Sequence, residues 1–508
     1  MTLRSRIDRG SNTYKSFAAY YARENPASDM YDLLKSFYLN NGLYDEIYNA
    51  LYVVGKQGED IRPLRNPAYR TVEFYAGKLW PGPLPGALQI VTQNKAIVAP
   101  IQKVWEWSNW AQLKQRAARW AGIYGDVFFK VEKPKGKDTV YFLLIEPQYV
   151  TDFETDERGF MSWTRIDIPR VRRVDDKPKA YTYTEVWSKI TGTVRIWEHE
   201  GNAQTEVSYL GDPGTEKSIT SVIGHDFIPI VHGKLRDIGE DRGMGAFTQE
   251  IDKINEANRM ATRLHQMLWR YDNPIWALRA NQVSSDGRPL PAPRIDKNSD
   301  SEIELGGDKM IRLPGNSVLD PLIPNISWSD SLAILQDHML ELEHDLPELA
   351  YWRLRDVGEL SGKAVQLLLG DAIDKVMEAR GNLEGTLERV DAMALSIGQH
   401  FGIFDGLGTF EEGAFIHSFE AREVIPTPEV ERAATVQQYI AAGIAKQSAM
   451  SKAGWTDEQI KAEAALAKKE QAEKQRAFEQ NMLASERMLG QQAPGISAEE
   501  GVDASTSP

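Results

Sequence analysis

The spacing of apolar residues changes twice along this chain, and the changes divide it into segments of different secondary structure. Residues 1–125 carry apolar residues mainly at helical spacing, residues 126–232 are β-branched and aromatic between turn residues, and helical spacing returns from residue 246. Because strands occupy one block rather than alternating regularly with helices, an α+β, mainly helical fold is expected.

Three helices are predicted before the β region. They cover residues 29–38, which begin with a capping aspartate, residues 67–80, which precede a Pro/Gly run, and residues 100–120, which begin with proline. Tryptophans at positions 105, 110 and 120 lie in the third helix. They are interpreted as anchors of a core or a subunit contact, with stacking on nucleic acid as the alternative.

The β region is predicted to hold five to seven short antiparallel strands. Its acidic turn at 152–159 is interpreted as a hairpin connection. The last strand, 228–232, contains Pro229 and is therefore expected at a sheet edge, since proline cannot donate to a ladder.

The rest of the chain is predicted to be largely helical. A helix over 246–271, about 39 Å long, is separated by a Pro- and Gly-rich excursion from a second helix over 328–345. A loop at 353–362 is expected to lead into a long helix over 363–400, with kinks or close contacts at Gly370, Gly381, Gly385 and Gly398. A Gly-rich break at 402–413 follows, and then helices over 428–489. The end of the chain, 490–508, is expected to be disordered.

Composition excludes several classes of protein. The 508 residues include no cysteine, which rules out a disulfide framework, a thiolate metal site and a cysteine nucleophile. The net charge of −14, from 59 basic and 73 acidic residues, argues against a protein that coats DNA, but not against one that DNA slides past. Neither a signal peptide nor a bilayer-spanning apolar run is found, so assembly in a cytoplasm is expected.

No pattern of catalytic residues is found. The eight histidines include no zinc-binding His-Glu-x-x-His pair and are interpreted as structural, and no Gly-x-Ser-x-Gly elbow occurs. The loop from Gly358 to Ala364 is one residue short of a phosphate-binding loop and lacks its hydroxyl. An acidic cluster at Asp296, Asp300, Glu302 and Glu304 is interpreted as a solvated loop, with a divalent-ion site as the alternative. We therefore expect no catalytic residue, cofactor or metal, and no enzyme.

Five stretches, in their order along the chain, resemble the portal proteins of tailed bacteriophages, in particular the siphophage-type family. Ala118-Arg-Trp-Ala-Gly-Ile-Tyr-Gly-Asp-Val resembles the helix–glycine–strand that opens the family's wing, and Leu360-Ser-Gly-Lys-Ala-Val-Gln-Leu resembles the small-residue signature beside its tunnel loop. The other stretches are 145–153, 239–258 and 441–463, and the resemblance covers about residues 30–480.

The resemblance implies a dodecameric ring at one capsid vertex. Such a ring passes double-stranded DNA during packaging and ejection, docks the large terminase and head–tail connector proteins, contacts major capsid and scaffolding proteins, and involves no membrane. It is assembled in the host cytoplasm and stays in the virion. The implied parts are a wing at 1–245 (helical to 125, β-rich from 126), stem helices at 246–273 and 327–348, a clip at 274–326, a tunnel loop and long wing helix at 349–427, and a crown at 428–489.

Two sets of site residues follow from the resemblance. Charges at the tunnel loop are expected to make sparse contacts with moving DNA, or else to pair between subunits: Arg353, Arg355, Asp356, Glu359 and Lys363. Basic residues of the clip are expected to contact terminase or an adaptor: Arg279, Arg288, Arg294 and Lys297. The competing interpretations are a minor head or scaffold protein and, less favoured, a DNA-packaging nuclease or ATPase.

Overall fold

A computed structural model describes most of the chain. The chain forms two compact units, 1–425 and 426–508. The described residues are 26–40, 66–174, 177–200, 215–272, 275–280, 288, 317–322, 328–355, 362–425, 429–455 and 457–490. The fold is mixed helix and sheet, in agreement with the predicted α+β class.

Four helices precede the main sheets: α1 (Pro26–Leu39), α2 (Pro67–Leu79), α3 (Val98–Trp107) and α4 (Trp110–Tyr124). The predictions of α1 and α2 are confirmed. The prediction of one helix over 100–120 was wrong, because the chain breaks at Ser108 and Asn109. Asn109 has a left-handed φ of 53°, and the Ser108 hydroxyl donates to Val104 O and accepts from Phe142 N, which ties this point to a strand. Trp105 and Trp110 are buried, as predicted.

Two antiparallel sheets follow. The smaller has the order β3–β2–β9 and the larger is a meander, β4 to β8. Pro229 precedes β9, which lies at a sheet edge as predicted. The predicted turn at 152–159 is shorter than expected, because residues 152–155 belong to β4 and only the residues after Thr155 connect β4 to β5. The eight strands are one more than the upper predicted number: β2 (Asp126–Glu132), β3 (Tyr141–Ile145), β4 (Val150–Thr155), β5 (Met161–Val174), β6 (Lys177–Ser188), β7 (Thr193–Glu200), β8 (Thr215–Ser218) and β9 (Ile230–Lys234).

Two long helices are joined through a pair of short strands. Helix α6 (Ile251–Asp272) leads to β10 (Ile275–Ala280), which pairs antiparallel with β11 (Ser317–Leu322), and α7 (Trp328–Asp345) follows. The short helix α5 (Ile219–Ile223) precedes β9, and α8 (Glu348–Arg355) follows α7. Both predicted long helices are confirmed, and the described part of the segment between them contains a pair of strands, in agreement with the small α/β or β excursion expected there.

The predicted helix over 363–400 is divided into α9 (Gly362–Leu368) and α10 (Gly370–His400). The break is slight, since Leu369 N donates to Val365 O and Ile373 N to Leu369 O across it. Helix α10 continues without a break through Gly381, Gly385 and Gly398. A predicted close contact is present at Gly398, where a Cβ would lie 2.4 Å from the Phe404 ring.

The first unit has two apolar cores. The main core packs α2, α3, α4 and the β3–β2–β9 sheet against α10, and a strand pair, β1 (Ile90–Val91) with β12 (Ser418–Phe419), closes its edge. The second core joins α1 to the start of α6 and the end of α7. The second unit contains α11 (Glu429–Ala441), α12 (Lys446–Lys452) and α13 (Asp457–Gly490), with a small core of its own. None of the described helices is apolar over the length that a bilayer requires.

Candidate functional site: the helical pair and its anchor

The pair formed by α6 and α7 is antiparallel and held at one end by a lysine. Lys253, in the first turn of α6, contacts Glu341 (Nζ to Oε1, 2.8 Å) and Asp345 in the last turns of α7. His338 lies 3.0 Å from the backbone oxygen of Lys253. The hydrogen bonds from Lys253 lower the pKa values of Glu341 and Asp345. The opposite ends of the two helices lead into the β10–β11 strands.

Helix α7 leaves apolar side chains uncovered. Leu335 and Leu342 of the predicted stripe are buried, but Leu332 is 46% exposed. Ile334 and Leu340, on the remaining surface of the helix, are 58% and 46% exposed. The exposed apolar residues of α7 are therefore spread over the surface that the rest of the first unit leaves uncovered.

A buried carboxylate, Asp126, fixes the segment that leads into α6. It is fully buried at the start of β2 and accepts hydrogen bonds from His232 Nε2 (2.7 Å), from Gly243 N (2.7 Å) and from the Tyr31 hydroxyl. These partners lie on β9, on the segment before α6 and on α1. One carboxylate therefore joins four parts of the chain, and multiple donors are what make a buried charge tolerable.

Arg242 extends this cluster. Its Nη1 donates to the Tyr31 hydroxyl at 2.7 Å, its Nη2 donates to Val150 O at 2.8 Å, and its guanidinium lies over the Tyr31 and Phe153 rings. Burial, followed by the charge of Asp126, raises the pKa of Tyr31. Tyr31 therefore stays protonated and can donate to Asp126.

Glycines allow the backbone to approach closely at this joint. Gly125 has a φ of 83°, and a Cβ there would lie 2.3 Å from Gly243 O. A Cβ on Gly243 would in turn lie 2.3 Å from Gly125 O. Ala246 N donates to Gly122 O at 2.8 Å, so the chain entering α6 is hydrogen-bonded to the end of α4. The chain entering α6 is thus held against the end of α4 and the start of β2.

A large open cleft lies elsewhere in the first unit. It has a volume of about 1710 Å³ and is bounded by the β4–β5 turn, by α10 and by residues 408–417. His225, on its wall, lies 2.9 Å from Ser396 O and is satisfied structurally. Within the described ranges, no group of three or more His, Cys, Asp or Glu residues could hold a metal ion.

Three of the five residues expected at a tunnel loop, Arg353, Arg355 and Lys363, are described. Arg353, in α8, pairs with Glu343 of the same chain at 2.9 Å, with its side chain 58% exposed. Arg355 ends α8, and Lys363 lies in the first turn of α9. Asp356 and Glu359 lie outside the described residues.

The clip residues are only partly described. Arg279 lies in β10, opposite Val318 of β11, and Arg288 is exposed. Arg294, Lys297 and the acidic cluster at 296–304 lie outside the described residues. The roles of both sets of residues therefore remain predictions.

The sequence interpretation missed the residues of the anchor. Asp126, Tyr31 and Arg242 were not singled out, although a Gly-Asp pair at 125–126 and a Gly-Met-Gly run at 243–245 mark the point of close approach. Such glycines suggest a close backbone contact, but they do not indicate which distant carboxylate lies beside it.

The chain matches no family model and no curated protein. Among solved structures, this chain is similar to chains of gene transfer agent particles. Each of the three similarities covers 77% of this chain and 90% of the chain it is compared with. One is described as the neck of the native particle computed with C12 symmetry (TM-score 0.38, 11% identity). The others are the neck of the empty particle computed with C6 symmetry (0.42, 12%) and the virion of the native particle (0.35, 12%). These values are too low to establish a shared fold or function.

Proposed function

We propose that this chain is a portal protein, which forms a ring-shaped channel for DNA at one vertex of a phage-like capsid. The observation that carries the proposal is the anchored helical pair: α6 and α7, linked by the β10–β11 strands and fixed at their other end to the β3–β2–β9 sheet. A protruding pair of this kind supplies a stem whose repetition around an axis lines a channel, with the strands at its tip.

The apolar residues of α7 support assembly into a ring. Leu332, Ile334 and Leu340 are exposed in the isolated chain, and burying each would stabilise a contact by about 1–2 kcal/mol. Repeated head-to-tail contacts between identical subunits close into rings when the rotation between neighbours allows it. Each α7 would then be covered by the helical pair of the next copy.

The charge of the chain suits a channel through which DNA moves. A dense basic lining would release counterions and hold DNA tightly, whereas a net charge of −14 opposes such binding. Sparse cations at Arg353, Arg355 and Lys363, beside the carboxylates at 356 and 359, would touch the DNA without gripping it. The chain itself then needs no enzymatic activity, because movement of the DNA is driven by a docked terminase.

The strand pair and the segment between β10 and β11 would form the docking surface. Arg279, Arg288, Arg294 and Lys297 give it basic groups for terminase and then for head–tail connector proteins. The wing would face the major capsid and scaffolding proteins, and the assembled ring would remain in the virion.

Mass measurement tests the proposal. The purified chain is expected to yield a ring species near twelve subunits, and a chain that stays monomeric under all assembly conditions would contradict it. The variant Ile334→Glu/Leu340→Glu should lose the ring while keeping its helical circular dichroism, because it places two charges in the contact. Ile190→Glu/Ile416→Glu, which places two charges at exposed apolar positions outside α7, is the matched control and should still form rings.

Two other results would favour different functions. Hydrolysis of ATP by the purified chain would favour a packaging enzyme. Labelling of many positions around each particle, rather than one vertex, would favour a minor head or scaffold protein.

A further inference from the structure

The hairpin of β5 and β6 extends beyond its sheet. Strand β4 pairs with β5 only as far as Ile166, and β7 pairs with β6 only as far as Tyr181. In the described part of the chain, the backbone of residues 171–174 therefore pairs only with that of residues 177–180. Arg170, at the base of this segment, pairs with Tyr181. We call these residues the ribbon. It is about 17 Å long at 3.3 Å per residue.

Both faces of the ribbon are open. Residues 169–173 and 177–180 are all exposed, and Val171 is 72% exposed. A strand pair that is part of a folded layer has at least one covered face, so this ribbon projects from the body of the first unit.

One face of the ribbon is basic. Side chains on a strand alternate between faces, so Arg170 and Arg172 lie on the same face, about 6.6 Å apart. The register places Lys179 opposite Arg172 and Lys177 opposite Val174, which adds two cations to that face. These cations are gathered on one face of the ribbon although the chain as a whole has a net charge of −14.

The two arginines are held in order by neighbours at the base of the ribbon. The Arg170 guanidinium lies 4.2 Å from the centre of the Tyr183 ring, and the Arg172 guanidinium lies 5.8 Å from that of Tyr181. Glu198 of β7 accepts hydrogen bonds from both, at 3.2 Å from Arg170 and 2.8 Å from Arg172. Glu198 is thus an internal counterion that covers part of the basic face.

We propose that the ribbon binds the phosphate backbone of double-stranded DNA, a contact separate from the loop at 353–363. A two-stranded β-ribbon fits the major groove of B-DNA, which presents rows of phosphates at both edges. Regularly spaced cations beside aromatic rings match such a polyanion. The choice of DNA as the polyanion rests on the proposed function.

Binding of a labelled duplex of about 30 base pairs to the full chain, measured by fluorescence anisotropy at several salt concentrations, tests this inference. Arg170→Ala/Arg172→Ala/Lys177→Ala should weaken binding and reduce the slope of log K against log salt by about 2.7, since each phosphate contact contributes about 0.9. In the unmodified chain, these three contacts account for about a 40-fold weakening of DNA binding over a fourfold rise in salt. Lys468→Ala/Lys469→Ala/Lys474→Ala removes the same charge from exposed positions of α13 and should leave the slope unchanged.

Glu198→Gln supplies a test in the opposite direction. Removing the internal counterion should strengthen DNA binding severalfold, which damage to the fold would not do.

An unchanged slope in the triple variant, or an equal loss in the α13 control, would overturn the inference. If the triple variant instead binds DNA normally but loses the ring, the ribbon binds an acidic surface of a second copy and the inference is wrong. If the chain forms a ring that does not bind DNA, the inference about the ribbon is wrong and the proposed ring stands. If the chain is a monomer that binds DNA through the ribbon, the proposed ring is wrong and the inference about the ribbon stands.

Discussion

His417 Nε2 lies 3.5 Å from Asp391 Oδ2, and both side chains are almost completely buried, with 1% and 0% exposure. Trp105 Nε1 donates to both carboxylate oxygens of Asp391, and His417 Nδ1 lies 2.9 Å from Phe415 O. Both ring nitrogens of His417 thus face acceptors, which favours the charged imidazolium. The pair fixes the segment after the Gly-rich break to α10.

Stability should decrease with rising pH because of this pair. Burial acts to lower the pKa of His417, but the interaction with the nearby Asp391 carboxylate outweighs it, so this pKa lies above its usual value of 6.5. Burial also raises the pKa of Asp391. In both cases the folded state binds more protons than the unfolded state, so the contribution of His417 is complete below pH 6.5 and is lost as the pH rises through its folded value.

Denaturation by urea between pH 6 and 9 measures this effect. The unmodified chain should lose stability over that interval, and His417→Gln should be less stable at pH 6 with a flatter profile. His400→Gln, at an exposed position of the same unit, serves as the control. A profile for His417→Gln that parallels that of the unmodified chain would contradict the assignment.

Replacing Asp126 should destabilise the joint before α6. In Asp126→Asn the carboxamide can accept fewer of the three hydrogen bonds and brings a buried donor group beside Gly243 N, at a cost of about 3 kcal/mol. Tyr31→Phe removes one donor and should cost about 1 kcal/mol. Denaturant unfolding gives both values, and Asp405→Asn, at an exposed position, should be nearly neutral. Equal stability of Asp126→Asn and Asp405→Asn would show that the anchor has no structural role.

The C-terminal end of α2 should depend on buried cations. Arg380 donates through Nε to Leu79 O (3.0 Å), through Nη1 to Arg422 O (2.7 Å) and through Nη2 to Lys78 O, and burial lowers its pKa to about 10. Lys114 donates to Gly82 O just beyond the helix. Arg380→Met leaves helix carbonyls unsatisfied and should cost about 2–3 kcal/mol.

Arg380→Lys is the informative companion variant. A single ammonium cannot reach the three carbonyls that the guanidinium reaches, so it should restore only part of the stability. Thermal melts of the two variants compare them directly. Full rescue by lysine would mean that charge, and not the bonding geometry of the guanidinium, matters at this helix end.

Deletion of residues 353–362 should separate assembly from packaging. The ring contacts proposed for α7 lie outside this segment, so rings should still form, while packaging or retention of DNA should be impaired. Arg353→Ala is the control, because the deletion also removes the Arg353–Glu343 pair. Particle assembly followed by quantification of packaged DNA measures both outcomes, and normal packaging by the deletion would remove the tunnel assignment.

Local patterns were sufficient where the structure depends on neighbours in the sequence. The spacing of Ile251, Ile254 and Ala257 predicts α6, and the same reasoning predicts α7, since an amphipathic helix is encoded within a few turns. Pro229 likewise indicates a sheet edge before any partner strand is known. The break at Asn109 was missed because it depends on Ser108 bonding to a strand that follows much later.

By itself the sequence determined the α+β class, the order of helices and strands, the Gly-rich break, and the histidines that serve the structure at positions 225, 338 and 417. Tertiary structure alone decided which charges are buried and which groups satisfy them. Asp126 meets Tyr31 across 95 residues, and Asp391 meets Trp105 across 286. The physical reason is that desolvation and hydrogen bonding of a buried charge depend on segments brought together by the whole fold, whereas helical and strand periodicity is written within a few residues.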